Sequence, residues 1–598
     1  MLSKIAYYII VLLILVSGDA AAYDTLKVEA SLDTLKKQIH GSVEYILPAA
    51  PEVTTFEFQM FPSVYSSESS PYLKAMPGLL RRYKETNTWG EMIIDSVLLD
   101  RENVTVDVST DYTRGILTAS SGNLNGKNIK IFFKTVIPGS GNRLVCFGND
   151  YTLDGWFPVP AIPESDGRWY SPTYGPFAEL VGDYFHYKIS LIVPGNLKIA
   201  APVPPSVVSD RDTLTEYDFS FGPAHDFAVA LSPDYLVDTF LVGETTVRVF
   251  YRNFEQPVLS RIRDAVERTF AYMEASIGEY HYEHFTLALV SASHAGGIEF
   301  PGLVALHSPR GGMLMTRLYE SLVTHETVHQ WFYGMIGSDQ IENPWMDESI
   351  ASFFTLKIIE RNWGERANLI DLAGFVASQR DMFRSGTRVS PGVCQLNMPT
   401  YAFPGDDEYF ATIYTKGALI VETFDNLLGD SLSDVFWRHY FEENLFARPG
   451  PGEFIGLAGR VGGEKIQNAL NALINEPVEL DLAVSSLENR KIDSVTYEAD
   501  VLLWKKGALP GSVDYRLVLH NGDTLEFVWR SQHDTEKMTF SLAAPVSKVI
   551  IDPNNRFTVD ANLLNNSLSA DGDSRPALRV SSGIMFLIES FLSFMGGM

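Results

Sequence analysis

Cysteine is nearly absent from this chain. Its 598 residues include only Cys146 and Cys394, too few for a disulfide framework and too far apart for a zinc knuckle. Export would permit the two to pair, and the sequence leaves that open. Basic charge is also scarce. The 47 lysines and arginines face 74 acidic residues, and the net charge of −27 excludes a nucleic-acid partner, which requires basic surface. Long hydrophobic runs are missing as well. The apolar stretch at 5–16 covers twelve positions, short of the roughly 20 that a spanning helix needs. Lys4 precedes it and Ala20-Ala21-Ala22 follows, the order of an export signal. Residues 1–22 are therefore expected to send the chain to a periplasm or outside the cell, with an uncleaved anchor as the alternative. No internal repeat is visible.

What is present is concentrated at His325-Glu326-Thr327-Val328-His329, followed after eighteen residues by Glu348. Two imidazoles four apart on a helix lie about 40° apart around its axis, so both can face one metal ion. Glu326 then points beside that ion, where it can act on a water. Gly337-Ser338-Asp339 is expected to break the helix, which should run near 317–336. Asn343 is a good N-cap with Pro344 at the first helical position, so Glu348 falls in the early turns of a second helix near 346–363. A helical pair folded back on itself brings Glu348 to the same ion and leaves a tetrahedral position open, the pattern of a hydrolytic zinc site. Two nitrogens and one oxygen favour Zn²⁺, although cobalt or manganese also fits such a set.

Two further stretches belong to this picture. Gly296-Gly297-Ile298-Glu299-Phe300-Pro301 follows the strand-like run Phe285-Thr286-Leu287-Ala288-Leu289-Val290. Gly296 and Gly297 permit close approach of another backbone, and Pro301 restricts pairing as at a sheet edge. Glu299 is then placed on the rim of a cleft where an extended peptide can dock. Downstream, Tyr414 stands in Tyr414-Thr415-Lys416-Gly417-Ala418, and a phenol facing a metal site can donate to a developing oxyanion.

Together these motifs resemble those of the gluzincin zinc aminopeptidases, the family of aminopeptidase N and leukotriene hydrolase. The flanks His329-Gln330-Trp331-Phe332-Tyr333-Gly334 and Pro344-Trp345-Met346-Asp347-Glu348 strengthen the likeness, which covers most of the chain. Two departures stand out. The usual Gly-Ala-Met-Glu-Asn is Gly-Gly-Ile-Glu-Phe-Pro here, closer to the bacterial branch, and the usual Asn-Glu-Gly is Asp347-Glu348-Ser349. The resemblance implies that His325, His329 and Glu348 bind one Zn²⁺ per chain and that Glu326 is the general base. It makes Tyr414 the oxyanion donor and Glu299 the acceptor for the substrate's α-ammonium, with Gly296 and Gly297 beside it. Peptides or proteins with free N-termini are the implied substrates. Glu299, Glu326 and Glu348 around one divalent cation leave a formal charge of minus one, which a protonated amine balances. A catalytically inactive scaffold of the same fold, or a hydrolase of another electrophile such as an epoxide, are the alternatives.

The fold class expected is a multidomain α+β chain. Residues 23–243 alternate in strand fashion, as in Ile39, Val43, Tyr45 and Leu47 and again in Tyr187, Ile189, Leu191 and Val193, with no helical stripe of length. The resemblance makes this a β-saddle domain. Residues 244–477 are expected to form a mainly helical, thermolysin-like zinc catalytic domain. It opens with Val258, Ile262, Val266, Phe270, Met273 and Ile277 on one helical face and closes with helices ending at Gly429 and near 464–475. Residues 478–566 return to strands and read as a small β-sandwich, with Asn521-Gly522 as a two-residue hairpin turn. The large terminal helical domain of the named relatives has no room here, which implies a more open cleft. In the remaining stretch, 567–598, Ser582, Glu589, Ser593 and Gly596 oppose Ile584, Leu587, Ile588, Phe591, Leu592 and Met595 on a helical wheel. This is an amphipathic tail for a membrane surface, for the protein itself or for a second subunit.

Overall fold

The computed structural model describes residues 23–571 apart from short stretches at 50–52, 110–112, 119–122, 142, 173, 176, 178–179, 292–295, 310–315, 365–367, 373–374, 390–393, 509–510 and 531–532. The expected export signal and amphipathic tail lie outside the described residues. Among the described residues, no helix is long and apolar enough to cross a membrane.

The N-terminal region is built on an eight-stranded sheet. Its central strands Phe185–Pro194, Thr25–Asp33 and Gln38–Ile46 pair side by side, the first two in parallel. Alternation puts Tyr187, Ile189, Leu191 and Val193 into the core while their neighbours stay wetter, as a period of two requires. A helix does occur here, contrary to the sequence expectation. Pro77–Thr86 buries only Leu79 and Tyr83, a stripe too sparse to stand out in the sequence.

A five-stranded sheet follows, in the order Leu236–Val242, Thr245–Tyr251, His284–Val290, Leu303–His307, Gly297–Phe300. The change of architecture therefore begins before residue 244, because Leu236–Val242 pairs with Thr245–Tyr251 across a tight turn where Gly243 adopts φ +56°. Gly297–Phe300 is the terminal strand of this sheet, as Pro301 led one to expect. Helix Leu259–Ser276 lies against it and buries Ile262, Val266, Phe270 and Met273.

Helices then dominate up to Glu464–Asn475. One continuous apolar cluster joins the N-terminal sheets to this helical region. The C-terminal strands have a cluster of their own, built on Leu482, Val501, Leu503, Val513, Tyr515, Leu517 and Trp529 from two small sheets. In this region the hairpin differs from expectation. Leu519 pairs with Asp523, and the loop holds three residues, His520-Asn521-Gly522, with Gly522 donating to Leu519 O at φ +93°. Glycine supplies the left-handed third position that a three-residue hairpin needs. Both cysteines are buried and unpaired.

Leu517 is fully buried in the separate C-terminal cluster, so Leu517→Ala should cost about 2–5 kcal/mol and act locally. Hydrogen exchange is expected to quicken in Val513–Leu519 and its partner strands. Equal quickening in the helix Leu318–Val328 would contradict two separate cores.

Candidate metal and peptide-binding site

Helix Leu318–Val328 carries His325 and Glu326, and His329 caps its C-terminus. The helix stops earlier than its sequence pattern implied. After His329 the hydrogen bonds widen, with Gly334, Met335 and Ile336 donating to the carbonyls of His329, Gln330 and Trp331. Tyr333 sits at φ +135°, a costly backbone angle for a bulky side chain. That early stop frees the side chain of Gln330 to face the edge hairpin. Gln330 Nε2 donates to Phe300 O at 3.1 Å, and Gln330 Oε1 accepts from Gly302 N at 2.8 Å. The strand bearing Glu299 is thereby clamped to the helix bearing the histidines.

The second helix is Trp345–Trp363, capped by Pro344 without a side-chain bond, one residue later than Asn343 implied. Asp347 and Glu348 lie in its first turn, where the positive end of the helix dipole favours carboxylates. The helix is almost wholly buried, and Ser349 Oγ donates to Ile413 O at 2.6 Å. That bond ties it to Ala411–Lys416, a π-helical stretch that carries Tyr414 and merges into helix Gly417–Leu428. Gly417 is required there, since a Cβ would strike Ser349. Such wide turns are rare and concentrate at functional sites, and nothing in the apolar spacing distinguishes one from an ordinary helix.

These elements converge. His325 Nε2 lies 3.2 Å from both His329 Nε2 and Glu348 Oε2, and His329 Nε2 lies 3.4 Å from Glu348 Oε2. The three ligand atoms fall within 4.8 Å of one another, as do those of Glu299, Glu326 and His329. His329 Nδ1 is 2.6 Å from Asp347 Oδ1 and 3.1 Å from Phe332 O, so its proton is held on that side and Nε2 is free to bind a metal. Tyr414 Oη donates to Glu348 Oε1. Gly297 packs directly against the Glu326 side chain, where a Cβ would overlap Cγ and Cδ. Gly296 borders open space at φ +146°. A cleft of about 590 Å³ opens over the group, lined by Gly296, Gly297, Glu299, Glu326, Phe383 and Tyr414 among others.

Crowded acid dominates the electrostatics. Burial, then the charges of Glu299 and Glu348, pushes the Glu326 carboxyl well above its usual range, and its Oε2 has no hydrogen-bond partner. Burial pushes Asp347 up to about 7. Burial would also raise Glu348, but hydrogen bonds with His325 and His329 hold it well below the usual range. Burial and the Glu348 charge raise the Tyr414 phenol, which keeps it a neutral donor. Converging ligand atoms, an orphaned carboxylate oxygen and excess buried acid are what a divalent cation relieves, and the donor set fits zinc.

Residues 263–472 match the Peptidase family M1 domain. That stretch, about a third of the chain, is similar to the M1 aminopeptidases. Over 164 residues, 25% of this chain and 19% of the relative, the chain is 27% identical to aminopeptidase N of Lactobacillus delbrueckii subsp. lactis. Over 172 residues, 28% of this chain and 17% of the relative, it is 21% identical to glutamyl aminopeptidase of Bos taurus. The match thus spans about a fifth of each relative. Among solved structures, aminopeptidase A of Legionella pneumophila in complex with aspartic acid gives a TM-score of 0.63 at 11% identity, covering 90% of this chain and 59% of that one. The M1 zinc metallopeptidase of Deinococcus radiodurans gives 0.54 at 14% identity, covering 77% and 95%. Both likenesses are of fold.

Of the site residues read from the motifs, Gly296, Gly297, Glu299, His325, Glu326, Glu348 and Tyr414 line one cleft, and fully buried His329 lies against His325 and Glu348. Sequence reasoning missed others. Asp347 and Gln330 stood in the quoted flanks, and their neighbouring ligands are the only signal that pointed to them. Arg143, whose guanidinium lies 3.6 Å from Glu299 Oε1, has no motif at all. The charge count around the cation therefore includes Asp347 and Arg143 as well. Glu299 is also more enclosed than a rim position implies, at 5% exposure.

Gly297→Ala is expected to displace Glu326 or the edge strand. A crystal structure of the variant checks this, and Glu326 and the edge strand both unmoved would contradict the close approach.

Proposed function

We propose that this chain is a zinc-dependent aminopeptidase that hydrolyses the N-terminal peptide bond of peptides or proteins bearing a free α-amine. The observation that carries the proposal is the convergence of His325, His329 and Glu348 beside Glu326, with Glu299 on the neighbouring edge strand. His325, His329 and Glu348 would hold one zinc ion. When bound, it polarises the scissile carbonyl and lowers the pKa of a water toward about 7.

The remaining work falls to side chains of this protein. Among the described residues, no strand pairs with the outer side of Gly297–Phe300, an edge along which a peptide can extend. Glu299 accepts the substrate's ammonium, which fixes the register so that only the first peptide bond reaches the reacting centre. Glu326 removes a proton from water and returns it to the leaving amine. Tyr414 turns its hydroxyl from Glu348 toward the carbonyl oxygen as negative charge grows there. Two solved structures of the same fold hold free amino acids, aspartic acid in one and L-arginine in the other, the product class of such a reaction. The run at 5–16 with Ala20-Ala21-Ala22 supports export as part of this reading.

Amino-acid anilides provide the direct test. Release of the aniline should require a free amine, cease with chelator and return with zinc, whereas chelator-insensitive or absent release would overturn the proposal. Tyr414→Phe should lower kcat by about a hundred- to a thousandfold with little change in KM, and an unchanged kcat would remove Tyr414 from the reaction. Asp347→Asn should weaken zinc affinity by about 10–100-fold, read by competition with a chelating dye. Unaltered affinity would show that His329 needs no such support.

A further inference from the structure

Arg143 is the buried charge that the proposed reaction leaves unused. It stands on the connection between strands Asn128–Val136 and Val145–Phe147 and reaches from the N-terminal β region to the back of the peptide edge strand. Its side chain is 3% exposed. Nη1 donates to Asp154 Oδ2 at 2.9 Å, and Asp154 is itself fully buried. Nη2 lies 3.6 Å from Glu299 Oε1, and the guanidinium sits over the Phe300 ring at 5.6 Å. The contacts to Asp154 and Glu299 are unequal. Asp154 receives a well-formed charged hydrogen bond, whereas Glu299 feels the guanidinium at a distance beyond hydrogen bonding.

That inequality has a chemical consequence. Glu299 shares the site with Glu326 and His329, and a carboxylate facing another carboxylate swings away or takes up a proton unless a positive charge holds it. A guanidinium bonded fully to Glu299 would hold it but would also cancel the charge that attracts an ammonium. With Asp154 taking the strong bond, Arg143 steadies Glu299 without neutralising it. A planar fork spanning two carboxylates does this, and a lysine's single ammonium does not.

We propose that Arg143, anchored by Asp154, is a positioning residue for Glu299 and sets how strongly the cleft prefers a free amine over a blocked one. The inference rests on the reading of Glu299 as the ammonium acceptor, and it is tested by binding as well as by turnover. L-leucinol and N-acetyl-L-leucinol carry no peptide bond for the enzyme to cut, so calorimetry on the zinc-loaded protein isolates recognition of the amine. The natural protein should bind the free amine at least about tenfold more tightly. Glu299→Gln should bring the ratio near one. The pairwise change Arg143→Gln with Asp154→Asn removes both members of that ion pair. It should lower the ratio to below about threefold and raise KM for leucine anilide far more than it lowers kcat. Arg143→Lys should lie between the natural protein and the double variant.

A wild-type ratio in the double variant would overturn the proposal, as would a natural protein that does not distinguish the two ligands. If the double variant does not fold, Arg143→Lys alone decides, and an undiminished ratio there overturns it. A protein that fails to cleave anilides but shows Arg143-dependent amine preference would refute the peptidase reading and leave this inference standing.

Discussion

Four carboxylates and two imidazoles share one buried site: Glu299, Glu326, Asp347 and Glu348 around His325 and His329. Two like charges 4 Å apart repel by about 4 kcal/mol at an effective dielectric of 20, so this grouping needs cationic charge or added protons. Burial and the neighbouring acid charges raise the Glu326 carboxyl well above the usual carboxylate range, and burial raises that of Asp347. A divalent ion held by His325, His329 and Glu348 would offset that repulsion.

The scaffold holds that grouping together at three seams. Gln330 bonds the edge hairpin to the histidine helix. Ser349, made room for by Gly417, joins the Glu348 helix to the wide-turned Tyr414 segment. Arg143 reaches across from the N-terminal sheets to Glu299. Each seam joins segments distant in sequence, so the site depends on tertiary packing rather than on any one helix.

Much of this was legible in the sequence, for identifiable reasons. A helix imposes its period on ligands, so His325, Glu326 and His329 declare themselves by spacing, and a proline at a helix start sets Glu348 one turn in. Glycines beside an acid mark close approach, although Gly297 meets the Glu326 side chain rather than another backbone and Gly296 meets nothing within 4 Å. The illegible parts have no local signature. The histidine helix ends at His329 because its hydrogen bonds widen, which apolar spacing does not report. Pro77–Thr86 buries too few side chains to show a stripe. The three-residue hairpin at His520-Asn521-Gly522 uses the same Asn-Gly pair as a two-residue turn, and its length is set by strand register. Arg143 meets Glu299 only because two sheets pack together.

The central claim is that two imidazoles and the Glu348 carboxylate grip a single catalytic cation. Anomalous diffraction at the zinc absorption edge, from crystals of the purified protein, tests it most directly. The account predicts one strong peak within bonding distance of His325 Nε2, His329 Nε2 and a Glu348 carboxylate oxygen. A protein saturated with zinc that shows no peak between these residues, or shows one held by other side chains, would contradict it.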